Sequence, residues 1–105
     1  MTAEKSERSA TGEVTVINEQ GLHARPAHAL MMCASGFQSN VEIVKDGECV
    51  DGKSILSLLT LAAARGTRLV IRARGDDAEE AVAALTDLIA RGFGEDGGGA
   101  SDGTK

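Results

Sequence analysis

The dipeptide Asp46-Gly47 lies between Val41-Glu-Ile-Val44 and Glu48-Cys-Val50. Asp-Gly accepts positive φ at both central positions of a two-residue turn, and the twist of such a turn matches that of two flanking strands. The middle of the chain is therefore expected to form an antiparallel hairpin, and the rest of the fold must be built outward from it. Upstream, Glu13-Val-Thr-Val-Ile17 alternates and is β-branched, which predicts a strand with one buried face, ended by Asn18-Glu-Gln-Gly21. Downstream, Thr67 to Arg74 places Leu69, Ile71 and Ala73 on one side of a fourth strand and Arg68, Arg72 and Arg74 on the other.

Three helical patterns separate these strands. Ala24, Ala27, Leu30, Met31 and Ala34 fall at helical spacing, with Pro26 in the first turn and Gly36 after the last. Ile55, Leu58, Leu59 and Ala62 follow Ser54, whose hydroxyl is suited to cap a helix that Gly66 would end. Asp77-Ala-Glu-Glu80 resembles a capping box opening a helix with apolar Ala81, Val82, Leu85, Leu88 and Ile89, and Gly92 stops it. The order is β-α-β-β-α-β-α with no internal repeat, the pattern of an α+β two-layer sandwich.

A chain of 105 residues suits one domain. Residues 1–12 are polar and rich in breakers, and the Gly/Asp-rich residues 93–105 have almost nothing to bury. A flexible arm, a domain over 13–92 and a disordered tail are expected. The longest apolar runs, 27–34 interrupted by His28 and 58–64 interrupted by Thr60, fall short of the roughly 18 residues that span a bilayer. No secretory signal opens the chain, so a soluble cytoplasmic protein is expected. A net charge of -5 and only two aromatic residues, Phe37 and Phe93, argue against nucleic acid and anionic membrane as partners. Cys33 and Cys49 give neither metal spacing nor a disulfide framework and are read as reduced, small core residues. Gly52-Lys53-Ser54 lacks the first glycine and the feeding strand of a phosphate-binding loop, which favours a plain helix cap.

The segment with chemical content is Gly21-Leu-His-Ala-Arg-Pro-Ala27. His23 falls where a loop enters a helix, and the first amides of a helix lack internal partners and carry the positive end of its dipole. An anion beside His23 would meet those donors together with the guanidinium fork of Arg25, while Pro26 lies where no amide is required. A neutral imidazole nitrogen there is a nucleophile that can take up a phosphoryl group and release it. From position alone this competes with the plainer reading of a surface histidine that is only polar. His28 is five residues on and does not align with His23, so partner contact or plain exposure is expected. A metal site using His23, His28 and Cys33 has little support, because the two histidines do not align and no acidic or thiol ligand obviously converges on them, and no metal or cofactor is expected.

Gly21-Leu-His-Ala-Arg-Pro-Ala27, followed about 30 residues later by Gly52-Lys-Ser-Ile-Leu-Ser-Leu-Leu-Thr-Leu-Ala-Ala63 and Gly66-Thr67, resembles the HPr family, the histidine phosphocarriers of the bacterial phosphoenolpyruvate-dependent phosphotransferase system. The resemblance covers about residues 13–92. It implies an open-faced β-sandwich, a four-stranded antiparallel sheet with three helices on one face. It also implies that His23 takes phosphate through Nδ1 from Enzyme I and passes it to a histidine of an Enzyme IIA protein or domain. Arg25 would steady the phosphate, the amides of Ala24 and Arg25 would cap it, and Pro26 would fix the helix start. Ser54 matches the serine that HPr kinase/phosphorylase modifies in some members, and a simple N-cap is the equal alternative. Leu22, Ala24, Arg25, Lys53, Ile55, Leu56 and Leu59 would form a small, transient partner face.

Met31-Met-Cys-Ala-Ser35 departs from many members in offering no lysine, so a basic rim used against acidic partners is missing and Met32 offers adaptable packing instead. Leu88-Ile-Ala-Arg-Gly-Phe-Gly-Glu-Asp96 resembles the C-terminal end of the nitrogen-related branch rather than the sugar-transporting one. The implied protein is a monomeric, cytoplasmic, stoichiometric carrier rather than a turnover enzyme. A regulatory binding module of the same fold, acting in sugar or nitrogen control through the phospho-state of His23 or Ser54, is the alternative.

Overall fold

The computed structural model describes residues 8–94. Its elements are β1 (Ser9–Thr15), α1 (Ala24–Ser35), β2 (Asn40–Lys45), β3 (Glu48–Asp51), α2 (Ile55–Leu61), β4 (Arg68–Arg74) and α3 (Ala78–Ala90), followed by a 3-10 turn at Gly92–Gly94. The four strands form one antiparallel sheet in the order β1-β4-β2-β3. The hairpin forms as expected: Lys45 pairs with Glu48, and Asp46 and Gly47 have φ of 49° and 84°.

Alternation along β4 sends Leu69, Ile71 and Ala73 into the core and Arg68, Arg72 and Arg74 to the surface. The helices bury Leu30, Leu58, Leu61, Leu85 and Ile89 over the inner face, so one apolar layer joins sheet and helices. The other face of the sheet carries surface pairs, Arg72 with Glu42 at 2.8 Å and Arg68 with Glu13 at 3.8 Å. No helix among the described residues is long and apolar enough to cross a membrane.

Several boundaries differ from those expected. The sheet begins at Ser9, inside the expected arm, because Ser9 to Gly12 pair with Arg74 to Ile71 of β4. Gly12 is a packing glycine rather than a breaker: a Cβ there would lie 2.9 Å from Val82 Cγ1, so its absence lets α3 approach β1 closely. The core also extends past residue 92, since Phe93 packs partly buried against it. Residues 1–7 and 95–105, most of the expected arm and tail together with Glu95 and Asp96 of the branch signal, lie outside the described residues.

Helix α2 ends at Leu61 rather than near Gly66. Ala62 turns left-handed at φ 53° and its N–H donates to the Leu59 carbonyl, which frees the Ala63 carbonyl for another segment. Asp77 occupies the N-cap position of α3 but forms no side-chain cap. Its carboxylate instead accepts the Ser39 hydroxyl and the amides of Gln38 and Ser39, each amide at 2.9 Å, tying the end of α1 to the start of α3. These donors, the Ser39 hydroxyl foremost, hold the Asp77 carboxyl below its ordinary range.

The cysteines also depart from the core reading. Cys49 is exposed, paired with Val44 in the hairpin, its sulfur 3.7 Å from Arg72 Nη2. Odd-numbered Cys49 falls on the outer side of the short β3, where alternation sends it away from the helices. Cys33 is half-buried, and burial pushes its thiol up against the opposing influence of Arg91.

Candidate functional site: a histidine at a helix mouth

His23 is the N-cap residue of α1, with extended backbone angles of -91° and -167°, and its side chain makes no capping bond. It is half-exposed. In most helices a cap side chain takes the amide of the second or third helical residue. Here the third is Pro26, which has no N–H, and the first main-chain bond back to the cap is from Ala27 to the His23 carbonyl at 2.9 Å. The amides of Ala24 and Arg25 stand at the positive end of the helix, directly after the histidine in the chain. Ala24 and Arg25 are exposed, and Pro26 is buried beneath them.

The loop ahead of His23 is held from several sides. The Leu22 amide donates to the Ala63 carbonyl at 2.8 Å, and the His23 amide donates to the Gly21 carbonyl at 3.0 Å. Buried Asn18 donates its Nδ2 to the Gly21 carbonyl at 2.7 Å, while the Gly21 amide donates to the Asn18 carbonyl at 3.1 Å. Gly21 is indispensable to this arrangement, because its φ is +69° and a Cβ would fall 2.4 Å from the Ala63 oxygen. The sequence pattern presents Asn18 as a strand breaker. Its role as a brace is set by its burial and by its side-chain bond to the Gly21 carbonyl.

The other expected site residues divide. Ser54 is the N-cap of α2 and accepts the Ser57 amide at 3.2 Å, so its hydroxyl has a structural task. Leu56 and Leu59 of α2 are 74% and 37% exposed and Met32 of the neighbouring α1 is 56% exposed, an apolar surface that suits contact with another protein. Leu22 does not join it: at 3% exposure it anchors the His23 loop in the core. Ile55 is half-buried against the core, and Lys53 extends its ammonium to the Phe37 carbonyl at 2.8 Å, binding the start of α2 to the exit of α1. His28 is exposed on α1, and no group of three or more His, Cys, Asp or Glu among the described residues is arranged to hold a metal.

An open-faced sandwich with a half-exposed histidine and an exposed arginine at the amide end of a helix belongs to a class of small proteins whose surface suits an anion. A family model described as the PTS HPr component phosphorylation site matches residues 10–91. The chain is 46% identical over 82 residues to the phosphocarrier protein HPr of Neisseria meningitidis, which spans 78% of this chain and 92% of that protein. It is 42% identical over 84 residues to the HPr of Pseudomonas aeruginosa, across 79% of this chain and 93% of the relative. The crystal structure of HPr-C-His from Thermoanaerobacter tengcongensis superposes with a TM-score of 0.80 at 40% identity, covering 83% of this chain and 98% of the other. The chain belongs to the HPr family of phosphocarriers of the phosphotransferase system.

Proposed function

We propose that this protein is a stoichiometric relay that accepts a phosphoryl group on His23 from Enzyme I and delivers it to a histidine of an Enzyme IIA component, in the cytoplasm and as a monomer. The observation that carries this reading is the junction of His23 and α1, where the histidine is the N-cap and the first amides of the helix, on Ala24 and Arg25, follow it directly, before Pro26, which has none. In the step, the Nδ1 lone pair forms a bond to phosphorus as the nitrogen–phosphorus bond of the donor phosphohistidine breaks, and the donor ring recovers that electron pair. The two amides and Arg25 meet the charge on the phosphoryl oxygens. Return of the group to a second imidazole is chemically symmetric, so the reaction needs no larger machinery than this junction.

Release matters as much as capture. A carrier must visit two partners through one face, which favours a small interface and fast dissociation. Exposed Leu56, Leu59, Ala24 and Arg25 supply such a face. Phosphate on Ser54 would put new charge on α2 one turn from Leu56 and Leu59, favourable to the helix dipole and adverse to an apolar contact. That is the basis for regulation by an HPr kinase/phosphorylase acting on Ser54.

Incubation with Enzyme I and phosphoenolpyruvate is expected to add one acid-labile, alkali-stable phosphate, and His23→Ala is expected to abolish it while the protein stays folded. Label retained in His23→Ala would move the acceptor elsewhere.

A further inference from the structure

Strand pairing sets side chains in rows across the solvent face of the sheet. On that face Arg74 stands between Ser9 of β1 and Asn40 of β2, and Arg72 stands between Thr11 and Glu42 of the same two strands. Residues two apart on a strand share a face and lie about 7 Å from one another, so the two rows are parallel neighbours. Together the six residues line a hollow of about 440 Å³ at the start of β1, a size that small-molecule sites commonly have. The His23 loop leaves from the other end of that strand.

The rows differ in charge. Glu42 accepts a hydrogen bond from Arg72 Nη2 at 2.8 Å, which neutralises the second row and leaves the Thr11 hydroxyl beside an ion pair. Arg74 has no carboxylate partner among the described residues, whereas Arg68, further along the same face, has Glu13 at 3.8 Å. Beside Arg74, the Ser9 hydroxyl and the Asn40 amide are neutral donors, and all three residues are exposed. One end of the hollow thus suits an anion. The other, where Glu42 would repel a second anion, suits hydroxyl groups. Both ends rest on hydrogen-bonded strands, which fix the spacing between them.

We propose that this hollow is a second site, independent of His23, that takes a small phosphate monoester with a hydroxylated body. The phosphate lies on Arg74, Ser9 and Asn40, and the hydroxyls of the body meet Thr11 and Glu42. A guanidinium fork matches phosphate oxygens in pairs, and the two neutral donors complete the shell on that side. A ligand of about ten heavy atoms in an open hollow binds modestly, with a Kd of about 1 to 10 mM.

The test is titration of the isotope-labelled full-length chain with glycerol 3-phosphate, inorganic phosphate and glycerol at one fixed ionic strength, followed through the amide chemical shifts. Saturable shifts at Ser9 to Thr11, Asn40 to Glu42 and Arg72 to Arg74 are expected with glycerol 3-phosphate. Inorganic phosphate is expected to bind about fivefold more weakly, and glycerol to give no saturation. Arg74→Gln is expected to weaken the ester about tenfold or more, while Arg68→Gln, on the same face but outside the hollow, matches the parent. The same spectra show that each variant is folded. Shifts that do not saturate, saturation centred on His23 to Ala27, parental binding in Arg74→Gln, or inorganic phosphate binding as tightly as the ester overturns the proposal.

Discussion

Helices α1 and α2 begin in opposite ways. Ser54 closes its helix by accepting the Ser57 amide, a self-contained cap that leaves less for a ligand to do. His23 holds the same extended cap geometry but makes no side-chain cap, and Pro26 removes the third amide from the first turn. One helix start is closed by its own side chain; the other is not. The difference is that α1 lacks the side-chain cap that α2 has, at a cost of roughly 1 kcal/mol against a capped helix.

Exchanging the two devices tests that contrast. His23→Ser is expected to eliminate phosphorylation by Enzyme I altogether while raising stability by about 0.5 kcal/mol, since the new hydroxyl can reach only the Arg25 amide. Loss of stability instead would mean that the imidazole braces the junction. Gly21→Ala addresses the frame around the open end: with positive φ and the Ala63 oxygen 2.4 Å from the new methyl, destabilisation of about 2 kcal/mol or more and slower phosphorylation are expected. A melting point within about a degree of the parent would show that the loop yields freely.

Ser54→Ala is the converse case. Loss of about 1 kcal/mol by urea titration with unchanged transfer through His23 is the expected outcome, and a drop in transfer would mean the two helix ends are coupled. The smallest effect belongs to the third helix start. The Asp77 carboxyl is held below its ordinary range in the fold, so its contribution is fully present above the unfolded pKa, near 4, and is lost as pH falls through the lower folded value. In Asp77→Asn this part of the acid dependence is expected to disappear, checked by comparing denaturation at about pH 7 and pH 3.

The hairpin, the faces of β4 and the start of α1 were legible because each is written in local chemistry: an Asp-Gly turn, strict alternation, a proline within the first turn. That His23 and Arg25 sit together at the start of α1 was legible for the same reason, as they are near neighbours in sequence. What escaped notice depends on distant segments. Gly12 reads as a breaker until α3 is seen lying against it, and Asp77 reads as a helix cap until Gln38 and Ser39 arrive with better donors. Leu22 adjoins His23 and so invited a place on the partner face, but its neighbours in space are core residues. Ala62 ends α2 without any glycine or proline signal, because the end is imposed by the His23 loop that bonds to Ala63.

That last bond separates the atoms that do chemistry from those that aim them. A synthetic fragment of residues 18–36 would contain the imidazole, the guanidinium and both helix-start amides, yet it would lack the Ala63 carbonyl, two strands and a helix further on, and the core that together hold Leu22 in place. Carrier ability in this protein is a property of tertiary structure, and shuffling the short motif into a foreign loop would transplant the reagents without the workbench.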